Sequence, residues 1–306
     1  MACSRFQATV ALLIAAAITG QLAAVEPVRL THDGRMKFTP VFINGGEDLV
    51  FVEIEDPRMF RLQRLQLADG AVEPVHKTVS AQEFDPAYSA DGKYYAYLKA
   101  VGGLSVGMVI SSRTKSDEVQ LAPGQGFSGY RSPAIAPDSS QVLFSFAEEG
   151  RQDIFRVDIK GKNRTALTGG KGINIWPDFS PDGSRVAFCS TRDGNYELYL
   201  MKPDGSEITR VTSNPFQDLR PRFSPDGKRL AFASHRDGNF EIYLVHTDGS
   251  NLQRITEHEE RDDYPAWDPD GKSLVIVAER EGEHDLYRVD VPPYQASGAS
   301  VSTPDP

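Results

Sequence analysis

Cysteine is almost absent from the chain: there are two in 306 residues, Cys3 and Cys189. Cys3 lies in a leader-like N terminus, so once that segment is removed Cys189 stands alone and no intramolecular disulfide can form. Long apolar runs are missing after residue 24, so no further membrane span is expected. Basic runs are missing too. Thirty-three Lys and Arg stand against 43 Asp and Glu, a net charge of -10, which makes nucleic acid and anionic membrane surfaces poor partners. The histidines His32, His76, His235, His246, His258 and His284 show no metal-ligand spacing, so no zinc site and no cofactor are expected. No segment sustains a 3.6-residue apolar period, and helix should be minimal.

What the sequence does contain is a block of 44 residues, repeated in register. It begins Pro177-Asp178-Phe179-Ser180-Pro181-Asp182-Gly183 and continues through Arg192-Asp193-Gly194-Asn195, Leu198-Tyr199-Leu200, Asp204-Gly205-Ser206 and Arg210-Val211-Thr212. The same signature returns from Pro221, in part from Pro265, and 44 positions earlier from Pro133. Weaker copies start at Pro86 and Pro40, spaced 47 and 46 residues apart. A period of about 40 to 45 residues holding several short strands reads as propeller blades, because one small sheet cannot bury both faces alone. The expected fold is an all-β six-bladed propeller of four-stranded antiparallel blades. Its innermost strands follow a d-to-a connection, and the Ser-Pro-Asp-Gly turns lie on the opposite mouth.

Ring closure is also legible. In the well-kept blades a threonine stands nine residues before the next proline: Thr168 to Pro177, Thr212 to Pro221, Thr256 to Pro265. The last blade runs into Pro292-Pro293 without such a strand, whereas Thr31 lies nine residues before Pro40. The spacing predicts that Val28-Arg29-Leu30-Thr31 supplies the outer strand of the sixth blade, with Val28 and Leu30 buried on one sheet face.

Residues 1–24 carry one charged side chain, Arg5, an apolar stretch over 8–18 and Ala23-Ala24 before the expected cut. This is the layout of a secretory signal peptide, with an uncleaved anchor as the alternative. The expected organisation is a signal over 1–24, a propeller over 25–291 and a disordered tail over 292–306, in a periplasmic or secreted monomer without stable membrane insertion.

The repeated Ser-Pro-Asp-Gly turn, followed by Arg-Asp-Gly-Asn and Ile/Leu-Tyr, resembles the TolB-type β-propeller. The likeness is sharp over 177–290, weaker over 133–168 and positional before Pro86. Similar blades occur in TolB, in the propeller portions of prolyl-oligopeptidase-type enzymes and in some polysaccharide lyases, so the resemblance implies a fold and leaves the function open. TolB carries a domain ahead of its propeller. Here the closing strand begins almost at the expected cleavage site, so none is expected.

Several motifs read as repeat punctuation. Gly103-Leu104-Ser105-Val106-Gly107 matches a nucleophile-elbow pattern but falls in a strand region with no hydrolase-sized α/β segment. Asp268-Pro269-Asp270-Gly271 is a sister of the other blade turns, and Cys189 occupies a column filled elsewhere by Ala233 and Val277. The functional candidates are positions where the repeats disagree. Three residues before each blade proline stand Lys37, Glu83, Tyr130, Asn174, Asp218 and Asp262; one residue before stand Thr39, Asp85, Ser132, Trp176, Arg220 and Tyr264. Of these, Glu83, Asp85, Tyr130, Asn174, Trp176, Asp218, Arg220, Asp262 and Tyr264 are the candidate ligand-binding residues, entering the channel from the d-to-a mouth. The acidic run over 257–263 adds a candidate cation site there. Such a mouth suits a binding module for a protein segment or a cell-envelope glycan or peptide; an enzyme of lyase or hydrolase type and a plain scaffold are the alternatives.

Overall fold

The computed structural model describes residues 27–56, 59–78, 80–102, 105–115, 117–123, 129–148 and 150–296. The expected signal over 1–24, Gly103-Leu104 and the tail beyond 296 lie outside these residues. The chain opens with β1 (Val28–Arg29). Blade one is then β2 (Lys37–Ile43), β3 (Asp48–Asp56), β4 (Met59–Gln66) and β5 (Val72–Pro74), and blade two is β6 (Glu83–Tyr88), β7 (Tyr94–Val101), β8 (Ser105–Ser112) and β9 (Glu118–Leu121). Blade three holds β10 (Tyr130–Ile135), β11 (Gln141–Glu148), β12 (Arg151–Asp158) and β13 (Thr165–Ala166); blade four holds β14 (Asn174–Phe179), β15 (Val186–Ser190), β16 (Glu197–Met201) and β17 (Thr209–Arg210). Blade five comprises β18 (Asp218–Phe223), β19 (Arg229–Ser234), β20 (Glu241–His246) and β21 (Gln253–Arg254). Blade six comprises β22 (Asp262–Trp267), β23 (Ser273–Arg280) and β24 (Glu283–Asp290), with β1 as its fourth strand. All six sheets are four-stranded and antiparallel, as the period predicts.

The core is divided among the six blade-to-blade interfaces. Phe188, Val186 and Tyr199 of blade four pack with Leu143 and Ile154 of blade three, for example, while Leu49, Phe51 and Leu65 of blade one meet Val275, Val277 and Leu286 of blade six. The second interface seals the ring with apolar surface as well as with β1. Each blade therefore buries faces that it could not bury alone, and the ring leaves no blade without two neighbours.

Closure rests on a hydrogen-bonded triad already present in blades four and five. In blades four and five, the threonine ending strand d donates to a buried strand-c carboxylate, Thr212 to Glu197 at 2.6 Å and Thr256 to Glu241 at 2.5 Å. Its hydroxyl also accepts a backbone N–H, from Leu198 at 3.0 Å and Ile242 at 2.9 Å, and an arginine two residues earlier binds the same acid, both at 3.1 Å. Blade six rebuilds this set across the chain ends. Thr31 donates to Asp285 at 2.5 Å and accepts from Leu286 N at 3.0 Å, while Arg29 Nε reaches Asp285 at 3.1 Å. The expectation that Val28 is buried fails: it is 56% exposed, because β1 pairs for only two residues at the outer rim. Leu30 alone packs on the blade-one and blade-six cluster.

The first residues of the expected tail also have a place. Arg229 Nη1 donates to the Pro292 carbonyl at 2.6 Å, and the Tyr294 ring lies 4.8 Å from that of His246.

Candidate ligand-binding channel

Each innermost strand carries the same defect. Register shifts between Ile175 and Asp178 in β14, and between Leu219 and Arg222 in β18, leave two residues opposite one, and the other four innermost strands do the same. The first bulged residue always precedes the blade proline and always has positive φ: Thr39 45°, Asp85 42°, Ser132 50°, Trp176 56°, Arg220 56° and Tyr264 54°. A non-glycine residue held there costs about 1–2 kcal/mol. Bulges re-aim side chains, and here all six line one central cavity of 260 Å³, together with Arg131, Ile175, Arg222 and two blade prolines.

This bulge separates the two candidate sets. Strand alternation places residues two apart on one face, which put the residues three before the proline in the same ring as those one before it. The left-handed residue breaks that alternation, so the earlier residue stays on the sheet face, buried inside the blades and outside the cavity wall. Asp218 receives Arg236 at 2.9 and 3.1 Å and Ser234 at 2.7 Å; Asp262 receives Arg280 at 2.7 Å. Asn174 accepts from Arg192 at 3.0 Å, Glu83 contacts His76 at 2.8 Å, and Tyr130 packs on Phe144 and Phe146. Lys37, fully buried, joins Asp33 and Asp285 at the ring seam. The arginines of the Arg-Asp-Gly-Asn motif thus clamp strand a of their own blade. The motif's asparagines hold the next d-to-a loop, Asn195 by the Asn214 carbonyl at 2.9 Å and Asn239 by those of His258 and Glu260 at 2.9 and 2.7 Å.

Asp85, Trp176, Arg220 and Tyr264 do come together. The Arg220 guanidinium lies 4.7 Å from the Trp176 ring centre and 4.1 Å from that of Tyr264. Its Nη1 donates to both carboxylate oxygens of buried Asp263 at 3.1 Å, and Nη2 reaches the Tyr264 hydroxyl at 3.2 Å. Burial raises the Tyr264 phenol above its ordinary range, so it stays protonated. Across the cavity Asp85 accepts the Ser132 N–H at 3.1 Å. Enclosure by the channel wall lifts its carboxyl above the usual aspartate value, against the pull of Arg220, Arg222 and Arg131. Asp178, paired with Arg222 at 3.3 Å and with the Phe223 N–H at 2.8 Å, is raised by the same desolvation.

Sequence comparison within the repeat missed Arg131, Arg222, Asp178 and Asp263. A signal was present: the column two before the proline reads Phe38, Phe84, Arg131, Ile175, Leu219, Asp263, and the column one after reads Val41, Ala87, Ala134, Asp178, Arg222, Ala266. In each, two charges interrupt an apolar series. The remaining motifs assemble no chemistry. Ser105 is a strand residue paired with Val101 rather than the tip of a strand-to-helix turn. Cys189 is fully buried and its thiol pKa is pushed up by desolvation. In the acidic run, Asp262 and Asp263 bind arginines and Glu260 caps the N–H groups of Glu281 and Gly282. Among the described residues no three His, Cys, Asp or Glu side chains meet in a way that would hold a metal, and no helix is long and apolar enough to cross a membrane.

Comparison with solved structures gives a TolB-type protein of Agrobacterium tumefaciens at TM-score 0.67 and 23% identity, covering 86% of this chain and 93% of that one. TolB of Acinetobacter baumannii matches at 0.62 and 17%, covering 81% of this chain and 65% of its own. An oligogalacturonate lyase of Vibrio parahaemolyticus matches at 0.58 and 14%, covering 86% and 93%. These likenesses show the shared fold. No curated protein sequence matches the chain. The family model of the TolB beta propeller domain matches residues 48–218 and 213–303, most of the chain, and its blades are the ones described above. The chain belongs to the TolB β-propeller domain family.

Proposed function

We propose that the protein is an extracytoplasmic binding module that takes a segment of a protein partner into the central channel. One observation carries this reading: six non-repeating side chains, Thr39, Asp85, Ser132, Trp176, Arg220 and Tyr264, are turned into a single cavity by the same bulge. The scaffold repeats, yet these positions do not, which is the pattern of a surface that selects a ligand rather than one that only closes a ring. Aromatic and arginine side chains are the residue types in which binding energy concentrates. The membership in the TolB family and the leader-like residues 1–24 support a location outside the cytoplasm.

Propellers of this shape also serve enzymes, the Vibrio lyase among them. The binding reading is favoured because the channel carboxylates Asp85 and Asp178 are engaged by backbone N–H groups and arginines, with no nucleophile or base arranged against them. The test is partner capture by the purified protein, compared with a Trp176→Ala, Arg131→Ala double variant. These positions are chosen because Arg220→Ala would strand buried Asp263. Loss of capture at an unchanged melting temperature supports the reading. Full capture by the folded double variant removes the channel from the account.

A further inference from the structure

The cavity lining is rich in arginine although the chain is acidic, and Asp263 and Asp178 behind it pair with only two of the three, Arg220 and Arg222. The chain carries ten net negative charges, yet three arginines, Arg131, Arg220 and Arg222, line the cavity against one carboxylate, Asp85. Their hydrogen-bonding capacity is not used up. Arg131 is exposed and has no ion pair or hydrogen bond among the described residues. Arg222 has a single long contact to Asp178 at 3.3 Å, so most of its five donors are unspent. Two buried polar atoms of cavity residues, Arg220 Nε and Thr39 Oγ1, have no hydrogen-bond partner among the described residues. Unmet donors in a partly desolvated site favour an oxygen anion and penalise a cation or an apolar group, since either would leave them unpaired.

Size narrows the class. At 260 Å³ the cavity is below the roughly 300–1,000 Å³ of sites that enclose a whole small molecule. It suits one side chain or chain end belonging to something larger that rests on the mouth. Resting on the reading above, we propose that the group recognised in the channel is a carboxylate, the acidic side chain of an inserted peptide segment, gripped by Arg131 and Arg222, with Arg220 held behind them by Asp263 and Tyr264. Guanidinium forks match carboxylates two bonds at a time, which a lone ammonium does not. Asp85 sits among these arginines as the competing internal carboxylate, so its charge opposes the ligand's and sets how tightly an acid is held.

The chain has two tryptophans. Trp176 lines the cavity, and Trp267 donates its indole N–H to the Arg222 carbonyl at 3.1 Å, so the two indole N–H resonances report on the channel directly. The probes are a capped Gly-Glu-Gly tripeptide, its Gly-Gln-Gly counterpart, galacturonate and inorganic phosphate, titrated into the ring. The expected result is saturable movement of the Trp176 signal by the Glu peptide, in the millimolar range for so small a probe, and none by the Gln peptide. Arg131→Ala weakens the Glu peptide about tenfold, the loss of one charged hydrogen-bonding partner, and Asp85→Asn tightens it. Equal binding of the Glu and Gln peptides, or weaker binding by Asp85→Asn, overturns the proposal. Galacturonate or phosphate binding more tightly than the Glu peptide overturns the peptide as source while leaving an anion site. If no probe binds yet the channel variants still lose their partner, the carboxylate is refuted and the channel reading stands. If the channel variants keep their partner, the channel reading itself falls.

Discussion

Replacing Thr31 by valine removes one hydroxyl and keeps the side-chain shape, and it strikes the point where the chain ends are joined. Two bonds go with it: the donation to Asp285 at 2.5 Å and the bond accepted from Leu286 N at 3.0 Å. Asp285 is 1% exposed in its side chain, so water cannot replace the lost donor, and the Leu286 N–H is buried behind it. A hydrogen bond to a charged group contributes about 1.5–3 kcal/mol, and an orphaned buried N–H costs about 1–3 kcal/mol. The sum, about 2.5–6 kcal/mol, is a large share of a stability of about 5–15 kcal/mol. At about 2–4 °C per kcal/mol for a chain of this size, the melting temperature should fall by roughly 5–24 °C. Thr212→Val, which breaks the matching bonds to Glu197 and Leu198 inside blade four, is the internal reference. Val28→Ala should change stability by no more than about 0.5 kcal/mol, because that side chain is largely in solvent. Calorimetry of the three variants decides. If Thr31→Val melts with the parent while Thr212→Val does not, the triad at the seam is not what holds the ring closed.

Asp218→Ala should cost about 3–5 kcal/mol in chemical denaturation, because Arg236 is left without its buried partner, whereas an exposed pair such as Lys202–Glu207 can be broken with little effect. Anion binding in the channel should strengthen as pH falls: Asp85, raised by burial, faces Arg131, Arg220, Arg222, Tyr264 and the Ser132 N–H, Asp178 beside Arg222 is raised likewise, and protonating them removes charge that repels an anion. A small sulfonate, ionised throughout, should bind more tightly at acidic than at neutral pH, and Asp85→Asn should make that profile shallower; a flat profile in the parent protein would refute the sign. Cys189 should resist thiol reagents in the folded protein and react only on unfolding, since burial raises its thiol pKa and excludes the reagent. Removing residues 294–306 should lower the melting temperature slightly, through loss of the Tyr294 contacts to His246 and Lys228.

The blades and their closure were legible because each depends on a local signature. The proline marks the bulge of strand a, Ser-Pro-Asp-Gly marks a turn whose glycine, Gly183, takes a φ of 70°, and Arg-x-Thr marks strand d wherever a buried acid awaits it. The spacing from Thr31 to Pro40 worked for that chemical reason, since Asp285 stands where Glu197 and Glu241 stand. The burial expected of Val28 failed because alternation says nothing about where a two-residue strand ends and solvent begins. Half of the candidate site was misplaced for a related reason: Asp218 and Arg220 are two apart and share a face only if the backbone between them is regular, and the φ of 56° at Arg220 makes it irregular. Arg131 and Arg222 were hidden in columns that are apolar in most blades, and the carboxylates that make them significant, Asp85 acting on Arg131 through charge alone and Asp178 paired with Arg222, come from other blades.

Site-specific photocrosslinking tests the central claim most directly. A photoreactive aromatic residue is placed at Trp176 in the channel and, in a second variant, at Ser184 beside the Ser-Pro-Asp-Gly turn on the other mouth; both are irradiated in the cells that make the protein. The account predicts a discrete crosslink from position 176, competed by the Glu peptide, and none from position 184. A crosslink from position 184 with none from 176 would contradict it and move the partner off the channel.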